Sequence, residues 1–292
     1  MRRIVIVLVL LGLFGLGVFL IVTRPGHADP ERFRGIEGNI ARGELVYYAA
    51  GCGSCHMAEG AQGEARLVLS GGQRFASPFG TFLAPNISPS EQGIANWSRQ
   101  ALADALWYGT GRERGHLYPA LPYASYVKMT AQDLADLYEF LKTLPPDPTP
   151  SAPHEVGFPF NIRASLGGWK MLFFTDDWMI EGNLSAEEAR GRYLVEALGH
   201  CGECHTPRNA LGGMDKNRWL AGVPGEGGAP NITPAKLGWS VEEIAYYLES
   251  GFTPDYDSVG GHMAYVVDNY AKLPPEDRAA VAAYLKRVPA VE

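Results

Sequence analysis

The sequence predicts a mostly α-helical protein: two tandem copies of one small domain behind an N-terminal transmembrane helix. Three observations carry that expectation. The N-terminus holds an unbroken apolar run, a set of short motifs occurs twice in the same order, and apolar residues recur at helical spacing between helix-starting serines and helix-stopping glycines. A length of 292 residues suits about two domains. The formal net charge of −7 leaves no basic surplus to neutralise phosphates, which excludes a nucleic-acid partner and suits a basic docking partner.

The first element is the run from Ile4 to Val22, preceded by Arg2-Arg3 and closed by Thr23-Arg24-Pro25. Nineteen apolar residues suffice for one membrane crossing and exceed the usual core of a secretory signal. The two arginines hold the N-terminus in the cytoplasm. Residues 1–28 therefore read as an uncleaved anchor, with a signal peptide cut near Ala28 as the other reading; either delivers the rest of the chain across the membrane.

Next comes the repeat. Arg42-Gly43 returns as Arg190-Gly191, Ala84-Pro-Asn-Ile-Ser-Pro89 as Ala229-Pro-Asn-Ile-Thr-Pro234, and Trp97-Ser98 as Trp239-Ser240. In both copies a glycine follows the tryptophan by twelve residues, Gly109 and Gly251, and Phe140-Leu-Lys142 matches Tyr284-Leu-Lys286. The boundaries expected are 29–144 and 185–292, with a linker at 145–184. Helices are predicted at 41–50 and 186–199, the second opened by a Ser185/Glu188 capping box. Ser98 and Ser240 cap the next helix of each copy, Gly109 and Gly251 stop it, and Thr130 with Asp133 opens the closing helix. Gly71-Gly72 and Gly225–Gly228 are not phosphate cradles, since no helix-opening Lys-Ser/Thr follows them.

Cys52-Gly-Ser-Cys-His56 and Cys201-Gly-Glu-Cys-His205 contain every cysteine of the chain. Two thiols separated by two residues and followed at once by histidine are the attachment pattern of c-type haem: each thiol adds to a vinyl group and the histidine reaches the iron from the proximal side. Zinc or a redox dithiol is the alternative, but the immediate histidine in both copies favours haem. Two covalently bound haem c groups are therefore expected, on Cys52 and Cys55 with His56, and on Cys201 and Cys204 with His205. That chemistry places the chain on the periplasmic face of the bacterial inner membrane.

At these residues the chain resembles the c-type cytochrome subunits that accompany periplasmic dehydrogenases, such as those for alcohol and gluconate. The shared motifs are Cys-x-x-Cys-His, Pro78-Phe-Gly-Thr81, Asn-Ile-Ser/Thr-Pro, Trp-Ser and His116-Leu-Tyr-Pro119, over residues 40–145 and 186–290. Those relatives often carry three haem motifs, against two here. The resemblance implies two class I cytochrome c domains that pass electrons from a dehydrogenase or quinol-oxidising complex to a soluble cytochrome or terminal oxidase. It also implies that the carbonyls of Pro85 and Pro230 accept the Nδ1 protons of the proximal histidines, which would fix their ring orientation.

For the second haem, twelve residues past Gly251 lies Met263, the expected sixth ligand. The same count from Gly109 falls on Leu121, where similar cytochromes commonly have methionine and leucine cannot coordinate iron. Met129 is the first choice to replace it, with His116, Lys128 or no ligand as alternatives. An open iron at haem 1 would turn the reading towards a haem enzyme resembling thiosulfate dehydrogenases or peroxidases. Between the copies, Pro145–Pro153 reads as a semi-rigid spacer. The aromatic block Phe158, Phe160, Trp169, Phe173, Phe174 and Trp178 reads as interdomain glue, or else as a docking face for the membrane or a dehydrogenase.

Overall fold

The computed structural model describes residues 1–113, 115–225 and 228–292. Glu226 and Gly227, in the second glycine-rich stretch, lie outside them. The helices are α1 Arg2–Val22, α2 Ile40–Ala49, α3 Cys52–His56, α4 Arg99–Tyr108, α5 Tyr123–Tyr126 and α6 Ala131–Leu141, then α7 Ser165–Phe173, α8 Ala186–Arg192, α9 Gly202–His205, α10 Val241–Ser250, α11 Met263–Tyr270 and α12 Pro275–Arg287. An antiparallel hairpin, β1 Arg74–Ser77 and β2 Gly80–Leu83, is set into the first copy.

Caps form where the sequence places them. Ser185 and Ser240 each make a capping box, with Glu188 and Glu243. Ser98 and Thr130 accept from Ala101 N and Asp133 N at the starts of α4 and α6. Gly109 and Gly251 end α4 and α10 in the left-handed conformation, at φ 56° and 76°, which glycine adopts without steric cost.

Each copy closes by laying its first helix on its last, α2 on α6 and α8 on α12. The crossing points are glycines. A Cβ on Gly43 would collide with the Asp136 carbonyl and the Phe140 side chain, and one on Gly191 with the Ala280 carbonyl and Tyr284. Arg42 and Arg190 flank these crossings with ion pairs to Asp136 and Asp277, each at 2.8 Å. Gly191→Ala is accordingly expected to destabilise the second copy by about 3 kcal/mol, since rigid backbone must separate to admit the methyl group. Gly238, with open space around it, serves as the control; thermal unfolding that does not distinguish the two alanine variants would contradict the close approach.

From Gly43 to Cys52 is nine residues, whereas from Gly191 to Cys201 is ten. The extra residue is absorbed as a π-helical turn, Tyr193–Leu198, that continues α8. Within it Glu196 is buried, and its carboxylate accepts from Met179 N at 2.7 Å, from Ile180 N at 3.3 Å and from the Tyr284 hydroxyl. Burial raises its pKa against these bonds. The insertion thus ties the end of the linker to the second copy.

The copies pack reciprocally: α11 lies against α2, and α5 against the π turn. Across this interface Asn269 Nδ2 donates to Ser54 Oγ at 2.9 Å, Arg66 pairs with Asp268 at 2.8 Å, and the Tyr193 hydroxyl meets Thr130 N and the Asp133 carboxylate. Trp169, Phe173, Phe174 and Trp178 bridge the copies as glue. Trp169 Nε1 donates to Leu211 O at 3.0 Å, Phe173 covers Gly213, Phe174 meets Tyr123 edge-on and Trp178 lies under Arg192. Phe158, by contrast, is 81% exposed. The proline-rich stretch is no free spacer: Asp147 O and Thr149 O accept from Asn86 Nδ2 at 2.9 and 2.8 Å, and Glu155 pairs with Arg74. Without backbone donors of their own, its prolines cannot form a ladder, so a side chain of the first copy holds it.

Candidate haem-binding centres

Both cysteine motifs fold as a single helical turn entered through a left-handed residue, Gly51 at φ 63° and its counterpart His200 at φ 40°. The turn puts the two thiols of each motif on one side and leaves all four free. Burial pushes Cys52 and Cys201 up to about 12 and Cys55 up to about 11, so the unattached side chains are held as thiols at neutral pH. Among the described residues no three of His, Cys, Asp and Glu converge as a metal cluster.

The proximal histidines are oriented alike. His56 Nδ1 donates to Pro85 O at 2.8 Å and His205 Nδ1 to Pro230 O at 2.7 Å, which leaves Nε2 of each ring for iron. Burial lowers both pKa values, favouring the neutral ring that coordinates. The segments carrying the proline carbonyls are positioned by residues to which the sequence alone assigned no such role. Gly71 N donates to His56 O and Gly222 N to His205 O, both at 2.7 Å, while a Cβ at either glycine would press on the Pro-Asn backbone opposite. Asn86 Oδ1 accepts from Ser88 N and Asn231 Oδ1 from Thr233 N, each at 2.8 Å. Their amides donate to the chain that follows each closing helix, Asn231 Nδ2 reaching Val291 O at 2.7 Å. The repeated Ala-Pro-Asn-Ile tetrad was the available signal.

Of the residues expected on the distal side, Met263 begins α11, partly buried against the core, and Leu121 precedes α5. Met129 is fully buried in the core. His116 turns elsewhere: its Nε2 donates to Thr23 O at 2.7 Å and its Nδ1 accepts from Lys170 Nζ at 3.1 Å. Lys128 Nζ donates to Ala124 O at 3.0 Å. Of the histidines without ligand spacing, His154 accepts from Leu83 N and His200 faces Ala50 O, while His262 stacks edge-on with Tyr265.

The donor set of paired thiols and a histidine with Nδ1 engaged and Nε2 spare fits haem c in both copies. Fold and site together define a carrier of two covalently attached haems, one in each copy of a small helical domain. The chain belongs to the cytochrome c family, whose pattern matches residues 40–145 and 188–289. It is 60% identical over 275 residues to a diheme cytochrome c-type protein of Cereibacter sphaeroides, covering 93% of each chain. It is 36% identical over 277 residues to the fructose dehydrogenase cytochrome subunit of Gluconobacter japonicus, covering 92% of this chain and 55% of that protein. Against the cytochrome c subunit of the quinone alcohol dehydrogenase of Gluconobacter oxydans the identity is 35% over 277 residues, covering 87% and 56%. The chain is thus a dihaem electron-transfer cytochrome c.

Proposed function

We propose that the chain is the electron-transfer partner of a periplasmic dehydrogenase, or of a quinol-oxidising complex, and passes electrons to a soluble cytochrome or terminal oxidase. In this reading residues 1–28 tether it to the inner membrane, 29–144 and 185–292 each carry a haem, and 145–184 join them. The observation that carries it is the packing of the two motifs against each other's copy: Ser54, inside the first motif, bonds Asn269 of the second copy at 2.9 Å. Two redox centres held this way serve transfer of single electrons between them.

Bound haem c supplies a centre that changes valence by one electron. The residues do the rest. The four cysteines hold the ring, His56 and His205 are aimed by Pro85 and Pro230, and Met263 and Met129 close the distal side. With both nitrogens of His116 and the Lys128 ammonium engaged elsewhere, Met129 is the remaining candidate for haem 1.

Retention of the anchor is supported by the contacts of residues 23–28. Thr23 O accepts from His116, Gly26 O from Thr110 Oγ1 at 2.7 Å, and Ala28 N donates to Asp104 at 2.7 Å. Cleavage near Ala28 would strip these partners from buried groups of the first copy.

Deletion of the chain from its host is expected to leave a membrane dehydrogenase that still reduces an artificial dye but no longer drives oxygen uptake. The reduced full-length protein is expected to be indifferent to carbon monoxide at both haems. Rapid binding at one of the two would make haem 1 an open, catalytic iron, the reading that Leu121 favours.

A further inference from the structure

We infer that the segment from Phe158 to Phe173 is a second membrane-contacting element, an interfacial foot that lies in the bilayer surface beside the anchor. The inference rests on the proposed reading of α1 as a span. Its occupant is the phospholipid surface.

The foot is built onto the last turn of α1. Gly167 of α7 seats directly on Thr23, where any Cβ would collide, and Gly168 faces the Phe19 ring. The turn before α7 is pinned from the first copy, with the Tyr118 hydroxyl donating to Phe160 O at 3.0 Å and Arg163 Nη1 to His116 O at 2.9 Å. Lys170 fastens the other end: its ammonium donates to Tyr108 O, Gly109 O and His116 Nδ1, and the same ring donates from Nε2 to Thr23 O. Anchor, first copy and α7 form one rigid unit, so the level of α7 relative to the bilayer follows from α1.

That level is the interface. α1 has 21 residues and no buried side chain, and so rises about 32 Å, close to the hydrocarbon thickness of about 30 Å. Its last turn therefore ends at the boundary of headgroups and acyl chains, the depth at which apolar faces of interfacial helices settle. There the backbone of the foot is held on its inner side, yet Phe158, Ile162, Met171 and Leu172 stand outward, 81, 48, 64 and 69% exposed. Large apolar side chains on a tightly bonded frame, continuous with a spanning helix, form a surface made for lipid. Met171 and Leu172 occupy the stripe that passes Gly168, the glycine facing Phe19, so anchor and foot present one continuous apolar surface.

The test is photolabelling of the full-length holoprotein in nanodiscs made with a phospholipid carrying a diazirine in its acyl chain, read by peptide mass spectrometry. Label is expected in α1 and in 158–173. The variant Met171→Gln/Leu172→Gln should lose label in that segment by about tenfold while keeping that of α1 and the haem spectrum. Label confined to α1 would overturn the foot and leave the anchor intact, as would a face shielded from label by a second copy or a protein partner. Absence of label from both would overturn the anchor reading and the foot with it.

Discussion

A protein in which Cys201 and Cys204 are both alanine is expected to mature with one haem per chain instead of two. No other thiol can substitute, because all four cysteines belong to the two motifs. His205 remains, aimed by Pro230, but a single coordinate bond cannot retain the ring through purification as two thioether links do. Intact mass should fall short by one haem, and the visible absorbance should drop by about half. The second copy should lose its thermal transition, since a small domain that encloses a covalent group loses that group's share of its core. The first copy should persist at lower stability, deprived of Asn269 on Ser54 and of Asp268 on Arg66. Two haems by mass, or an undisturbed second transition, would break the link between this motif and the fold of its copy.

Much of this was legible because its physical cause is local. Capping boxes act over three residues, so Ser185 with Glu188 could be read directly, and a glycine after a helical stripe announces its own stop at Gly109 and Gly251. Repetition exposed the equivalence of the two motifs without any partner being known. What could not be read depends on groups brought together from far along the chain. Gly43 and Gly191 served only as repeat markers in the sequence, although their lack of a Cβ is what lets the terminal helices touch. Asn86 and Asn231 reach the chain that follows each closing helix, some sixty residues on. His116 lies near the distal loop of the first copy, which made it an alternative ligand; its bonds to Thr23 and Lys170 tie α1, the first copy and α7 together. The spacing of ten against eleven residues before the cysteines was visible, but only the helix could show it as a π turn that buries Glu196.

The variant Met263→Leu is expected to lower the potential of one haem by an amount on the order of 0.1 V while leaving the fold in place. Leucine conserves volume and apolar character, and Met263 is only partly buried at the start of α11, so packing should cost under about 1.5 kcal/mol. What leaves is the thioether sulfur that, as the proposed sixth ligand, would stabilise ferrous iron and raise the potential. The methionine-to-iron absorption at the red end of the spectrum should fall by about half, and carbon monoxide should then bind one haem. Met129→Leu gives the matching comparison for the first copy. Its counterpart in the repeat is Leu273: Met129 N donates to Tyr126 O and Leu273 N to Tyr270 O, and both side chains are buried. If Met129 does no more than Leu273 does, its leucine variant will keep the haem 1 spectrum unchanged and the red-edge absorption will belong wholly to Met263. If it coordinates, the two single variants will each remove part of that absorption and the double variant all of it, and the order of the two potentials will follow from which loss shifts which wave.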